Sequence, residues 1–250
     1  MVLPSHPRYE SLMLRAKMVE AYKNGILSDS GLIAHGRGEA FDYLIGEETT
    51  RFAWKATQAA AAALLLAEYP VISVNGNTAA LASHEVVELS NKLDAKLEIN
   101  LFYRKPERIK NIRKVLKEAG AFEVLGSEEE VVIIEGLKGP RSRSSKIGVY
   151  QSDVVLVPLE DGDRTEKLVL NGRRVITIDL NPLSRTSQKA SITIVDNLVR
   201  AIPNLITEVD KFKNMSKTEL RSIVNSFDNQ LNLRDSLELM LKNTLKWRKG

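Results

Sequence analysis

Residues 154–200 read VVLVPLEDGDRTEKLVLNGRRVITIDLNPLSRTSQKASITIVDNLVR, and this stretch decides the fold. The runs Val154-Val155-Leu156-Val157 and Val175-Ile176-Thr177-Ile178 are apolar and β-branched without alternation, the pattern of strands buried on both faces. Each leads into a polar loop, not a tight hairpin turn. In open parallel sheets, ligands bind beside the loops that leave the carboxyl ends of strands, because donors and side chains converge there. The run Asp179-Leu180-Asn181-Pro182-Leu183-Ser184-Arg185-Thr186-Ser187 is therefore the first candidate site. Asp179 and Asn181 suit a sugar or a base edge, Pro182 stiffens the turn, and Arg185, Thr186 and Ser187 suit a phosphate. In outline this is a nucleotide site.

Outward from this loop, residues 191–195 read as a further strand. Asp196-Asn197 then caps a helix running to about residue 202, with Arg200 one turn inside it and within reach of a phosphate at the helix N-terminus. Upstream, the loop 158–166 opens a helix that ends near Asn171-Gly172. Its carboxylates Glu160, Asp161 and Asp163 can hold Mg2+ through water, or simply complement the helix dipole. Residues 131–135 read as a strand, and the basic, hydroxyl-rich run 136–146 as either a mobile lid over phosphates or an ordinary surface loop. Residues 96–102 alternate as a strand, and Pro106 starts a helix over 107–119 that Gly120 stops. Ile109, Ile112 and Leu116 share one face of that helix, so its Arg and Lys residues form a solvated surface and no nucleic-acid partner is expected.

Nearer the N-terminus, residues 71–74 form the first clear strand, linked by Asn75-Gly76-Asn77-Thr78 to a helix over 79–93. A strand, a glycine-bearing loop and a helix N-terminus together make an anion site, so Asn75, Asn77 and Thr78 are candidate substrate contacts. Every βα unit carries such a loop, and the structural reading stands beside the functional one. Residues 7–24, 39–45 and 49–68 read as helices. Between the first two, residues 31–39 read as a glycine turn in which Arg37, flanked by Gly36 and Gly38, forks onto two ligand oxygens, or as a flexible turn with an exposed Arg. The segment lacks the third glycine and the preceding strand of a dinucleotide fingerprint. By spacing alone, Arg15 is a solvated helix charge and His35 a lone turn histidine. Residues 216–250 are helical by pattern, highly charged and without legible chemistry. The alternation of strands and helices predicts a doubly wound α/β fold, mostly parallel, with helical extensions at both ends.

A 250-residue chain buries about 75% of its unfolded surface, so core size is no constraint. Its 36 Lys and Arg against 32 Asp and Glu leave a formal charge of +4, a weak excess that suits small anions. The absence of Cys excludes a disulfide framework, a thiol nucleophile and a Cys-ligated zinc. The longest apolar run, 59–67, is far short of the ~20 residues a membrane span needs, and no secretory leader pattern opens the sequence. A cytoplasmic protein without a membrane partner is expected.

The strings PLEDGDRTE (158–166) and IDLNPLSRTS (178–187), with AHGRGEAFDYLIGE (34–47) and NGNTAAL (75–81), closely resemble the archaeal 4-phosphopantoate--β-alanine ligase family, also called archaeal phosphopantothenate synthetase. The resemblance runs to about residue 206, and the tail beyond about 211 lies outside it. It implies a coenzyme A pathway enzyme that joins 4-phosphopantoate to β-alanine while ATP becomes AMP and pyrophosphate, through an acyl adenylate. A homodimer, a Rossmann-like core over 70–212 between segments 1–69 and 213–250, and Mg2+ accompanying ATP are implied with it. Carried over by position, the nucleotide contacts are Arg15, Arg37, Asp179, Leu180, Asn181, Arg185, Thr186, Asn197, Leu198, Val199 and Arg200. In that frame Arg37, Arg185 and Arg200 neutralise phosphates, His35 is the candidate base for the amine, and Asn75, Asn77 and Thr78 face 4-phosphopantoate. No protein metal ligands are assigned. The rivals are a nicotinamide-dependent oxidoreductase on the same scaffold and a nucleotide-sensing module without turnover.

Overall fold

A computed structural model describes residues 3–6, 8–127, 131–137, 139–159 and 161–246. In chain order the elements are α1 (Tyr9–Lys23), α2 (Asp29–Ile45), α3 (Arg51–Leu66), β1 (Pro70–Val74), α4 (Gly76–Leu93), β2 (Lys96–Ile99), α5 (Pro106–Glu118), β3 (Val131–Ile133), β4 (Arg143–Ser145), β5 (Val154–Pro158), α6 (Gly162–Leu170), β6 (Arg174–Ile178), α7 (Arg185–Lys189), β7 (Ile192–Ile194), α8 (Leu198–Phe212), α9 (Lys217–Asn225) and α10 (Asn229–Lys246).

Five strands form one parallel sheet in the order β2-β1-β5-β6-β7. Every position of β1 and β5 is buried, as their unbroken apolar runs require. One face, including Ile72, Val74, Leu156, Ile176 and Ile194, packs on the Ala-rich α3 and on α4, α5 and α8; the other, Val71, Val155, Val157 and Val175, packs on Leu168 of α6 with Ile134 and Val149. The doubly wound α/β expectation is borne out. Chain order reverses between β1 and β5, so the crevice outside their carboxyl ends is the topological switch point, where such sheets take ligands. Each outer edge of the sheet is plugged. Beside β2, Ile99 N donates to Leu125 O at 2.9 Å and Leu125 N to Leu97 O at 2.8 Å. Beside β7, Thr193 N donates to Asn229 Oδ1 at 2.8 Å and Asn232 Nδ2 to Thr193 O at 2.9 Å.

Several expectations are corrected. Residues 31–39 are not a turn: α2 is helical throughout, although Gly31, Gly36 and Gly38 lower its intrinsic helicity. Tertiary packing decides here, since a Cβ at Gly31 would overlap Leu27 and Asn77. The helix expected from residue 79 starts at Gly76, because Asn75 is its cap, and it kinks at Ala82 (φ −143°, ψ 38°). The strand expected over 96–102 ends at Ile99. The strand at 131–135 is not in the main sheet; β3 pairs antiparallel with β4, which forms inside the supposed loop 136–146. That loop is therefore no lid over its described length. Ser144 Oγ and the N–H groups of Ser145 and Val149 donate to the buried carboxylate of Glu98, which anchors it. The helix expected to end near 202 continues to Phe212 with Pro203 inside it. Pro7, Lys138, Glu160 and residues 247–250 lie outside the described residues.

Candidate active site

Helix α2 lies across the carboxyl ends of the strands. Its Gly31 carbonyl accepts from Asn77 Nδ2 after β1, Gly38 packs on Leu180 after β6, and Asp42 accepts from Asn197 Nδ2 and Arg200 after β7. The eleven steps from Gly31 to Asp42 span about 16 Å at 1.5 Å each, which matches the roughly 14 Å across three strand spacings from β1 to β7. At Gly38 the helix passes over Leu180, which a Cβ there would meet in ordinary contact at 3.5 Å.

Beneath α2, the loop after β6 is held by its own polar groups. Asp179 accepts from Asn181 N at 2.9 Å and Ser184 Oγ at 2.5 Å, and Ser184 caps α7 by accepting from Ser187 N at 3.0 Å. Burial pushes the Asp179 carboxyl above the ordinary range, and these bonds together with the nearby Arg37 charge oppose that. Leu180 is buried with Ile45, Val195, Leu233 and Met240, so its side chain is a core contact. Thr186 is buried in α7.

The candidate cations behave differently from one another. Arg185 pairs with Asp163 and with Glu166, the latter at 2.5 Å, and Lys189 adds a second bond to Glu166 at 2.8 Å. Lys189 and Arg185 hold the Glu166 carboxyl down to about 2. Arg200 lies 2.5 Å from Asp42 and 2.7 Å from Asp196, one guanidinium between two carboxylates, which leaves little of its fork for a ligand. Arg15 donates through Nε to both oxygens of Glu39, at 3.1 and 3.0 Å. Arg37 is exposed, and among the described residues it forms no ion pair. The three phosphate-directed arginines thus sit on separate elements, Arg37 on α2, Arg185 on α7 after β6 and Arg200 on α8 after β7.

A cavity of about 340 Å³ opens between α1, α2 and the start of α8, lined in part by His35, Glu39, Asp42, Asn197, Val199 and Arg200. His35 Nε2 is buried there and has no hydrogen-bond partner among the described residues, and burial lowers the imidazole pKa against the pull of Glu39. Asn197 caps α8, and Leu198 behind it is buried. Asn75 and Asn77 serve the framework. Asn75 accepts from Thr78 N and Oγ1 and donates to Pro158 O and Leu159 O, which ties the ends of β1 and β5 across the switch point. Asp161 caps α6 and Asp163 is paired with Arg185, so the two described carboxylates of the expected cluster are otherwise engaged; among the described residues no three His, Asp or Glu side chains form a metal cage. No described helix is long and apolar enough to cross a membrane. Sequence reasoning passed over Glu39, Asp42 and Asp196, which hold the arginines. The i,i+4 spacing of Asp196 and Arg200 was the available signal. It also passed over Arg164, fully buried on α6 and bonded to Ser73, whose pKa burial lowers to about 10.

The family model for phosphopantothenate/pantothenate synthetase matches residues 52–243. The chain belongs to this family. The match runs through α9 and most of α10, which corrects the expected end of the resemblance near residue 211. Among relatives of this synthetase, the 4-phosphopantoate--β-alanine ligase of Thermococcus kodakarensis is 53% identical over 234 residues, covering 93% of this chain and 89% of that protein. The enzyme of the same name from Methanosarcina mazei is 53% identical over 232 residues, 93% of this chain and 91% of its own. That from Methanospirillum hungatei is 45% identical over 248 residues, 98% of both chains, and so includes the α1 and α2 positions of the site.

Proposed function

We propose that this synthetase joins 4-phosphopantoate to β-alanine, with ATP converted to AMP and pyrophosphate. Similarity to ligases over nearly the whole chain carries the reading, and the rim geometry supports an assignment of groups to it. A carboxylate is a poor acyl donor. Attack of the pantoate carboxylate oxygen on the α-phosphorus forms an acyl adenylate and breaks the bond to pyrophosphate. The β-alanine amine then attacks the acyl carbon, the amide forms and AMP leaves. Both steps build negative charge on phosphate or acyl oxygens, so fixed positive charge and orientation do the catalysis.

Arg37 is the group best placed to meet the polyphosphate, because among the described residues it forms no ion pair and only the nearby Asp179 charge acts on it. Arg185 reaches the nucleotide by exchanging Asp163 and Glu166 for phosphate oxygens. Arg200 chiefly fixes Asp42 and Asn197, and Arg15 and Thr186 complete the nucleotide wall. A rim this rich in carboxylates favours a nucleotide that brings its own cation, and Mg2+ would sit mainly on phosphate and water oxygens. The ammonium of β-alanine must lose a proton before it attacks, and a neutral His35 with an open Nε2 is the acceptor. The framework roles of Asn75, Asn77 and the fully buried Thr78 leave the backbone at the switch point to face 4-phosphopantoate. A homodimer and a cytoplasmic setting belong to the same reading.

Incubation with ATP, 4-phosphopantoate and β-alanine, followed by AMP measurement, tests it. Ligation requires AMP and 4'-phosphopantothenate in equal amounts, dependent on both acceptors. ATP binding without turnover would favour a sensor. A nicotinamide-dependent absorbance change would favour an oxidoreductase, against which the Asn-Gly-Asn-Thr loop after β1 already argues.

A further inference from the structure

Helix α7 carries Arg185 and Thr186, yet at five residues it is too short to hold its own position. Its carboxyl end is gripped from outside the core. Asn229, at the start of α10, donates through Nδ2 to Ser187 O at 3.0 Å and to Ala190 O at 3.1 Å, while its Oδ1 accepts from Thr193 N at 2.8 Å. One amide therefore joins the last turn of α7 to the edge strand β7. Gln230 adds a longer bond to Gln188 O at 3.4 Å. Farther along α10, Leu233 and Met240 pack on Leu180 of the nucleotide loop and on Ile45 of α2. Thr193 Oγ1 donates to the same Ser187 carbonyl at 2.8 Å, so this carbonyl ties α7 to both β7 and α10.

We propose that Asn229 is a positioning residue for the nucleotide contacts Arg185 and Thr186, which makes the C-terminal helix a working part of the active site. The inference rests on the proposed reading of Arg185 and Thr186 as ATP contacts. Asn232, one turn along, is the matched control. It is buried and bonds Thr193 O on the strand side, and no bond of its own reaches α7.

The test compares Asn229→Ala, Asn229→Asp and Asn232→Ala in the full chain, with KM for each substrate, ATP Kd by calorimetry and the thermal midpoint. Loss of three backbone-directed bonds in Asn229→Ala, two of them to α7, is expected to raise KM and Kd for ATP by about 10-fold, with the other two KM values within about 2-fold. Asn229→Asp keeps the acceptor for Thr193 N and loses the donors to α7, so it should weaken ATP binding with a smaller thermal shift. Asn232→Ala should lower the thermal midpoint and leave ATP binding unchanged. In an Arg185→Ala background, the Asn229→Ala effect on ATP should fall below about 3-fold, since the group being positioned is absent. Equal behaviour of the Asn229 and Asn232 variants, a parallel rise in all KM values, or full additivity with Arg185→Ala overturns the proposal. Should the wild type bind ATP without ligating, the enzyme reading fails while the Kd comparison still decides the role of Asn229. Absence of ATP binding by the wild type overturns both.

Discussion

Replacing Arg200 by Met separates a joint from a ligand contact. Met keeps the apolar stem and removes the charge that lies 2.5 Å from Asp42 and 2.7 Å from Asp196, whose side chain is wholly inaccessible. The two carboxylates are then left to Asn197, Thr49 and each other. Breaking a buried ion pair from one side costs about 3–5 kcal/mol, and because the Arg200 side chain is 25% exposed, the lower end applies. At about 2–4 °C per kcal/mol for a chain of this size, the midpoint should fall by roughly 6–12 °C. Burial already holds Asp196 above the ordinary Asp value, with Arg200 as the main opposing influence, so its loss drives that carboxyl higher. A carboxyl whose folded pKa exceeds its unfolded value costs stability when ionised, and the cost disappears as pH falls through the folded pKa. The deficit should therefore be greatest at neutral pH and shrink toward the ordinary Asp range near about 4. Adding Asp196→Asn should recover part of it at neutral pH. Denaturant unfolding followed by tryptophan fluorescence at several pH values measures this. A deficit under about 1 kcal/mol, or one that grows on acidification, would refute the reasoning.

Arg37→Ala should do the opposite, lowering kcat/KM by about 10-fold to 200-fold with stability changed by less than about 0.5 kcal/mol, as steady-state kinetics and melting would show. Arg185→Ala should bring a loss of the same order. It should also release Glu166, whose carboxyl titration, followed by NMR, moves up from its present value of about 2. His35→Gln should abolish the acid limb of the kcat/KM profile, which the lowered imidazole pKa places below the ordinary histidine value; an unchanged pH profile would remove His35 from proton transfer. Gly148→Ala should destabilise the chain by about 1–3 kcal/mol or more, because its Cβ would overlap the Glu98 carboxylate that anchors β4, with urea midpoints as the readout.

The core strands were legible because Val154–Val157 and Val175–Ile178 are buried on both faces, and that demand leaves an unbroken apolar signature. The sheet order was not, since nothing local in Val71–Val74 says which neighbour it takes. The glycines of α2 misled for a physical reason: locally they favour a turn, whereas Gly31 is a spacer that lets a helix lie against Leu27 and Asn77 at the rim. Chemistry at Asp179, Arg185, Asn197 and Arg200 pointed to the ends of β6 and β7 because strand ends collect ligand-binding side chains. Their carboxylate partners escaped notice because Asp42 meets Arg200 across 158 positions. The tail stayed unread because Asn229 acts through backbone groups that leave no mark in composition.

Filling both flanks of the five-stranded sheet has a consequence for how copies of this chain can meet. With Leu125 occupying the hydrogen-bonding positions outside β2, and Asn229 and Asn232 those outside β7, neither flank offers a free ladder to a sixth strand from elsewhere. Among the described residues, self-association by continuation of the five-stranded sheet is closed off, and a pairing of protomers has to use other surfaces.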